Sequence, residues 1–148
     1  MKILAAQFFA ALLILGFSHS LSAGDEPIGF DIMQKYHFHT VGTASTKEFI
    51  LPKLSGANWG LKQSMSKRAG YDLTPHAGQS VSLIRYDLEE KYYQTDRWGT
   101  ESFDLSLWVI AKKRQVLGAF ITCRGPGGLI PGVLAVNDPG IKPTLCRP

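Results

Sequence analysis

Phe103-Asp104-Leu105-Ser106-Leu107-Trp108-Val109, then the charged turn Lys112-Lys113-Arg114-Gln115, then Val116 to Cys123, form the strongest sheet signal in the chain. In the first run Phe103, Leu105, Leu107 and Val109 alternate with Asp104, Ser106 and Trp108. A period of two predicts a half-buried antiparallel strand. Three cations and an amide make the turn, and Val116 to Cys123 returns as the partner strand, with Gly118 as a bulge or close-packing point. Upstream, Ser80 to Leu88 alternates as well, with Val81 and Leu83 on one face and Ile84 and Tyr86 on the other. Glu89 to Gly99 is polar and aromatic and reads as a surface loop. Downstream, Gly125-Pro126-Gly127-Gly128 breaks the sheet. Leu129 to Val136 is apolar but interrupted by Pro131-Gly132. Asn137-Asp138-Pro139-Gly140 places Pro and Gly where a type II turn favours them.

Further upstream the clearest helix runs from about Ala57 to Ala69. Leu61, Met65 and Ala69 recur at four and predict a core-facing stripe. Ser55 or Asn58 is placed to cap its start. Lys67 and Arg68 suit the negative end of the helix dipole, and Gly70 suits its left-handed stop. Before it, His37 to Gly42 and Lys47 to Leu51 are β-prone, and the polar turn Thr43 to Thr46 between them suggests a hairpin. Ile28, Ile32 and Tyr36, with Phe30 and Met33, suit a short helix with Pro27 near its first turn. The resulting expectation is an α+β domain: an antiparallel sheet of four to five strands with two helices packed on one face.

The first residues read as an address. Lys2 precedes Ile3 to Phe17, a run without charge, and Ser18 to Ala23 is small and polar. That pattern predicts a secretory signal peptide over residues 1–23, with cleavage after Ala23 and Ser22 or Gly24 as alternatives. The run is shorter than the roughly 20 residues that span a bilayer, and no later stretch looks like a membrane helix. Residues 24–148 then form one domain, expected to be extracytoplasmic, either periplasmic or secreted. Removing the leader takes Lys2 and no acid, so the formal +4 falls to +3. Nucleic-acid binders of this size carry a stronger and more clustered excess, so nucleic acid is not an expected partner. Export also makes a Cys123–Cys146 disulfide the preferred reading of the two cysteines, tying the C-terminal tail to a strand. The competing reading leaves Cys123 as a reactive thiol.

Motifs for chemistry are sparse. His37-x-His39 would put two imidazoles on one side of a strand, but a metal centre needs more ligands, so no metal and no cofactor are expected. The glycine run at 125–128 lacks the Lys-Ser/Thr ending of a phosphate loop, and Gly-x-Ser-x-Gly is absent. Asp72, Asp87, Glu89, Glu90, Asp96, Glu101 and Asp104 are too scattered to define an acid–base pair. No catalytic residue is assigned. Tyr92, Tyr93, Trp98 and Trp108 supply aromatic surface near the sheet and are the expected binding residues.

Met33-Gln34-Lys35-Tyr36, Phe49-Ile50-Leu51-Pro52, Ala69-Gly70-Tyr71-Asp72-Leu73, His76-Ala77-Gly78-Gln79-Ser80-Val81 with Tyr86, and Val116-Leu117-Gly118-Ala119 occur in an order that resembles a family of small secreted or membrane-anchored bacterial proteins known as a domain of unknown function. The resemblance spans about Ile32 to Val136. Ala119-Phe120 depart from it, where the family tends to have a second glycine and an acid after Gly118. It implies an extracytoplasmic α+β domain and transfers no catalytic residue. The expectation is therefore a non-enzymatic binding domain for a protein or cell-envelope component. The alternatives are a small hydrolase using Cys123 or a carboxylate, and an inhibitor or immunity protein.

Overall fold

The computed structural model describes residues 26–97, 99–125 and 132–142. The predicted leader, Trp98, the glycine run beyond Gly125 and Cys146 lie outside them. The element order is α1 (Phe30–Tyr36), β1 (Thr40–Ile50), α2 (Ala57–Arg68), a 3-10 turn (Thr74–His76), β2 (Ser80–Asp96), β3 (Gly99–Lys112), β4 (Gln115–Arg124), β5 (Gly132–Leu134) and β6 (Ile141–Lys142). Strands β1-β2-β3-β4-β5 lie side by side, each pair antiparallel. β6 pairs with the far end of β2. The α+β class and the five-stranded antiparallel sheet are thus as the sequence predicts.

The β3–β4 hairpin is the middle of the molecule. Leu107 lies opposite Ile121 and Trp108 opposite Phe120. Successive side chains point to opposite faces, so these pairs open two cores. The larger holds Ile84, Tyr86, Leu88, Leu105, Leu107, Val109, Ile121 and Cys123, and α1 adds Ile32 and Met33 to it. The smaller holds Val81, Ile110, Leu117 and Phe120, with Trp59 and Met65 of α2 packed against it. The helices therefore divide between the faces, α1 on one and α2 over β4 and β5 on the other. Alternation in β2 and β3, apolar on both sides at their centres, is what requires a cover on each face.

α2 stops as its sequence predicts, while α1 ends on a left-handed His37. At α2, Tyr71 N–H donates to the Ser66 carbonyl and Gly70 N–H to the Lys67 carbonyl, each at 3.0 Å. That is a Schellman stop, with Gly70 in the left-handed region where a Cβ would be penalised. The start of α2 differs from expectation. Gly56 is its N-cap and no side chain caps it, so neither Ser55 nor Asn58 takes that role. The inward stripe also differs: Leu61 is 43% exposed, whereas Ser66 is fully buried. Ser66 Oγ accepts the Ala119 amide at 3.2 Å. β5 pairs only with Ile121 to Cys123, so Ser66 satisfies the Ala119 amide on the edge of β4 away from β3, where no described strand lies beside it. Gly118 leaves the room: a Cβ there would stand 2.4 Å from Leu73 Cδ2 and 3.0 Å from Ser66 Oγ.

Three other expectations change. β2 does not end near Leu88 but continues to Asp96, its pairing with β3 resuming from Lys91 after a bulge. The expected hairpin over His37 to Leu51 is one strand, β1, whose register with β2 shifts between Val41 and Ser45. The polar stretch that suggests a turn is a bulge, which adds residues to one strand without ending the pairing. The turn before β6 has the Ile141 amide donating to the Asp138 carbonyl at 3.2 Å, but Gly140 is not among the positive-φ glycines, so it is not type II.

Candidate binding site

β1 and β2 each carry a bulge, the first against β2 and the second against β3. Val41 pairs with Asp87 and Ser45 with Arg85, so Gly42 to Ala44 loop out opposite Tyr86. Asp87 pairs with Ser106 and Lys91 with Asp104, so Leu88 to Glu90 loop out opposite Leu105. The second bulge adds two residues and so keeps the alternation in step, and Glu90 points inward on the face of Tyr86 and Leu88, 4% exposed. A buried carboxylate needs donors. Glu90 takes them from His39: the backbone N–H at 3.0 and 3.2 Å, and imidazole Nδ1 at 2.8 Å. The hydrogen bond to Glu90 and then its charge raise the His39 pKa above its ordinary value.

β1 and β6 share one edge of β2. β1 covers Ser80 to Leu88 and β6 covers Lys91 and Tyr92. Between them lies a notch of about 400 Å³, with Glu90 and His39 on its wall beside Tyr36, Phe38, Val136 and Ile141. The lining is mostly apolar with a few convergent polar groups, the composition of a small binding cleft. Among the described residues its lining has no serine, threonine or cysteine, so none of them stands as a nucleophile beside the His39–Glu90 pair. The two histidines of His37-x-His39 do not share a strand face. His37 is the left-handed C-cap of α1, ahead of β1, and among the described residues no group of three His, Cys, Asp or Glu could hold a metal.

β1 itself is pinned at both ends and exposed between them. Glu90 holds the His39 backbone at one end. At the other, Phe49 stacks on Trp59 at 5.5 Å. Every β1 residue except Phe49 is exposed, including Val41 at 54% and Ile50 at 68%. Its only strand partner among the described residues is β2.

The four aromatic residues singled out in the sequence are dispersed. Tyr92 packs on Phe103 at 6.3 Å against the larger core. Tyr93, next in the strand, is exposed. Trp108 belongs to the smaller core, stacked on Phe120 at 6.4 Å, with Nε1 donating to Thr122 Oγ1 at 2.9 Å. Tyr92 and Trp108 thus stand on opposite faces, and Trp98 lies outside the described residues. Cys123 is a correction. It is a free, buried thiol rather than half of a disulfide. Burial, with a smaller contribution from Asp138, pushes its pKa up to about 11. A nucleophilic cysteine needs the opposite shift, so the geometry gives the thiol hydrolase no support.

Sequence reasoning missed Glu90, although its signal is present. Leu88-x-Glu90-x-Tyr92 continues the inward alternation of Ile84-x-Tyr86-x-Leu88.

The fold defines a small α+β domain in which the outer edge of β1 has no strand partner among the described residues and a cleft lies beside it. This chain belongs to the family described as domain of unknown function DUF4830, whose model matches residues 32–121, from α1 into β4. No curated protein and no solved structure matches it. Among the described residues no helix is long and apolar enough to cross a membrane.

Proposed function

We propose that the domain is an exported, non-enzymatic binding module for a protein partner, which adds an extended segment to the free edge of β1. One observation carries this reading: an eleven-residue strand that is exposed except at Phe49 and, among the described residues, paired along one edge only. Unpaired backbone donors and acceptors are a template for another strand. Long edges are usually blunted by proline, charge or bulges. β1 has no proline and only Lys47 and Glu48 as charges, and its bulge lies before Ser45. The regular stretch Ser45 to Ile50 is therefore the docking length, about six residues. Pinning by Glu90 and Trp59 favours this reading, because an edge already held straight loses little entropy when a segment adds to it.

The test is selection of extended peptides against residues 24–148, followed by amide-shift mapping. Binders are expected to shift Ser45 to Ile50 and to give backbone contacts across that edge. Binders that map only to other surfaces, or an edge already filled by a second copy at micromolar concentration, would end the proposal.

A further inference from the structure

The sheet face that carries α2 is polar where the helix does not reach. Arg85, Asp87 and Ser106 form a cluster that Arg124 also reaches electrostatically: Arg85 Nη2 donates to Asp87 at 2.6 Å and Ser106 Oγ donates to Asp87 at 2.7 Å. Lys91 is paired with Asp104. Beside this neutralised group lies a cavity of about 530 Å³, lined by Asn58, Lys62, Ser106, Thr122, Arg124 and Val133 among others. Among the described residues its wall contains two cations and no carboxylate. Asp104, opposite Arg124 in the register, is engaged by Lys91. Lys62 is held over Trp59 at 4.5 Å and Phe120 at 5.8 Å, and burial lowers its pKa. Thr122 Oγ1 accepts from Trp108, which leaves its hydroxyl hydrogen to donate.

We infer that this cavity is a binding site for a phosphate-bearing ligand, with Lys62 and Arg124 supplying charge and Thr122 and Asn58 supplying neutral donors. Donors spread around one space suit the several acceptor oxygens of a tetrahedral oxyanion, and guanidinium and ammonium groups are its usual partners. The volume leaves room for an organic remainder. The phosphate source is either a free phosphorylated molecule or a lipid headgroup.

The test uses residues 24–148 at constant ionic strength. Inorganic phosphate is titrated against chloride while the Trp108 indole Nε1–H resonance is followed, since that group bonds to a cavity residue. A parallel arm measures retention on vesicles of phosphatidylcholine with and without phosphatidylglycerol. A saturable indole shift with phosphate, weakened about tenfold or more in Arg124→Gln and in Lys62→Gln but restored in Lys62→Arg, supports the site with a free ligand. Retention on the anionic vesicles that needs both residues, without a response to free phosphate, supports it with a headgroup as the source. No response in either arm, or responses that survive both glutamine variants, overturns it. Because Lys62 also packs on two rings, unfolding curves of each variant are recorded, and the exposed Arg124 decides where Lys62→Gln is destabilised.

Discussion

β3 and β1 belong to one sheet, separated only by β2, yet their surroundings are opposite. From Leu105 to Ala111, β3 is buried on both faces apart from the half-buried Trp108, while β1 is exposed along nearly all its length. Both have the alternating, β-branched or aromatic character of strands. Propensity therefore says that each is a strand, and burial says what each is for. β3 holds the fold together, and β1 is left for interaction. Substitution should separate the two sharply. Leu107→Ala removes a fully buried side chain and is expected to cost about 2–5 kcal/mol. Thr46→Ala, on the exposed strand, should stay within about 0.5 kcal/mol. Urea unfolding of both variants checks the contrast. Similar midpoints would mean that β1 is part of the core after all.

Gly118 sharpens the same contrast from the β4 side. Its missing side chain is what lets Leu73 and Ser66 reach the sheet. Gly118→Ala should cost about 1–3 kcal/mol through overpacking. Gly42 makes the opposite case. A Cβ there would meet nothing within 4 Å, so Gly42→Ala pays only for its left-handed φ of 71°. Unfolding midpoints that rank Gly42→Ala as the more damaging change would show that backbone strain at the β1 bulge outweighs packing at β4.

How much of this was legible in the sequence follows from the same division. The β3–β4 hairpin announces itself because burial on alternate residues writes a period of two, and the charged turn marks its tip. α2 is readable from Gly70 and the cations before it, since a helix end has its own chemistry. The parts that protrude beyond the core are not written in apolar residues. Glu89 to Gly99 reads as a loop because β2 runs past most of what it could bury there, and β1 reads as a hairpin because a bulge and a turn use the same small polar residues. The site is less visible still. Glu90 carries the charge of a surface residue, and only its place in the inward alternation after Tyr86 and Leu88 marks it as buried. Ser66 is inside for a hydrogen bond, which no hydrophobic pattern predicts.

Glu90 tests whether the pinned end of β1 depends on that buried acid. Glu90→Gln keeps the shape but replaces one acceptor oxygen with a donor that faces the donors of His39. The loss is expected at about 1–3 kcal/mol, intermediate between the core and the exposed strand. Hydrogen exchange locates it: amides near His39 and Thr40 should exchange faster, while those of β3 and β4 are protected as before. Uniform loss of protection across the sheet would assign Glu90 to the global core instead.

The smallest expected effect is the titration of His39. Its pKa is raised in the folded protein, mainly by the hydrogen bond to Glu90 and then by its charge. A group whose folded pKa lies above its unfolded one stabilises the fold fully below the unfolded value, here about 6.5. That stabilisation is lost as pH rises through the raised value. The thermal midpoint should therefore fall as pH rises from about 6 to about 8. Asp72 does not interfere. The Thr74 hydroxyl and amide, then Gln63, lower it to about 2, so it acts only in acid. Cys123 titrates only at alkaline pH. The imidazole is mostly exposed, so water screens the pair and the change should be small. His39→Gln should flatten the profile between pH 6 and 8 and leave the acid limb unchanged. A slope that persists in His39→Gln would place the proton on another group and detach β1 from pH.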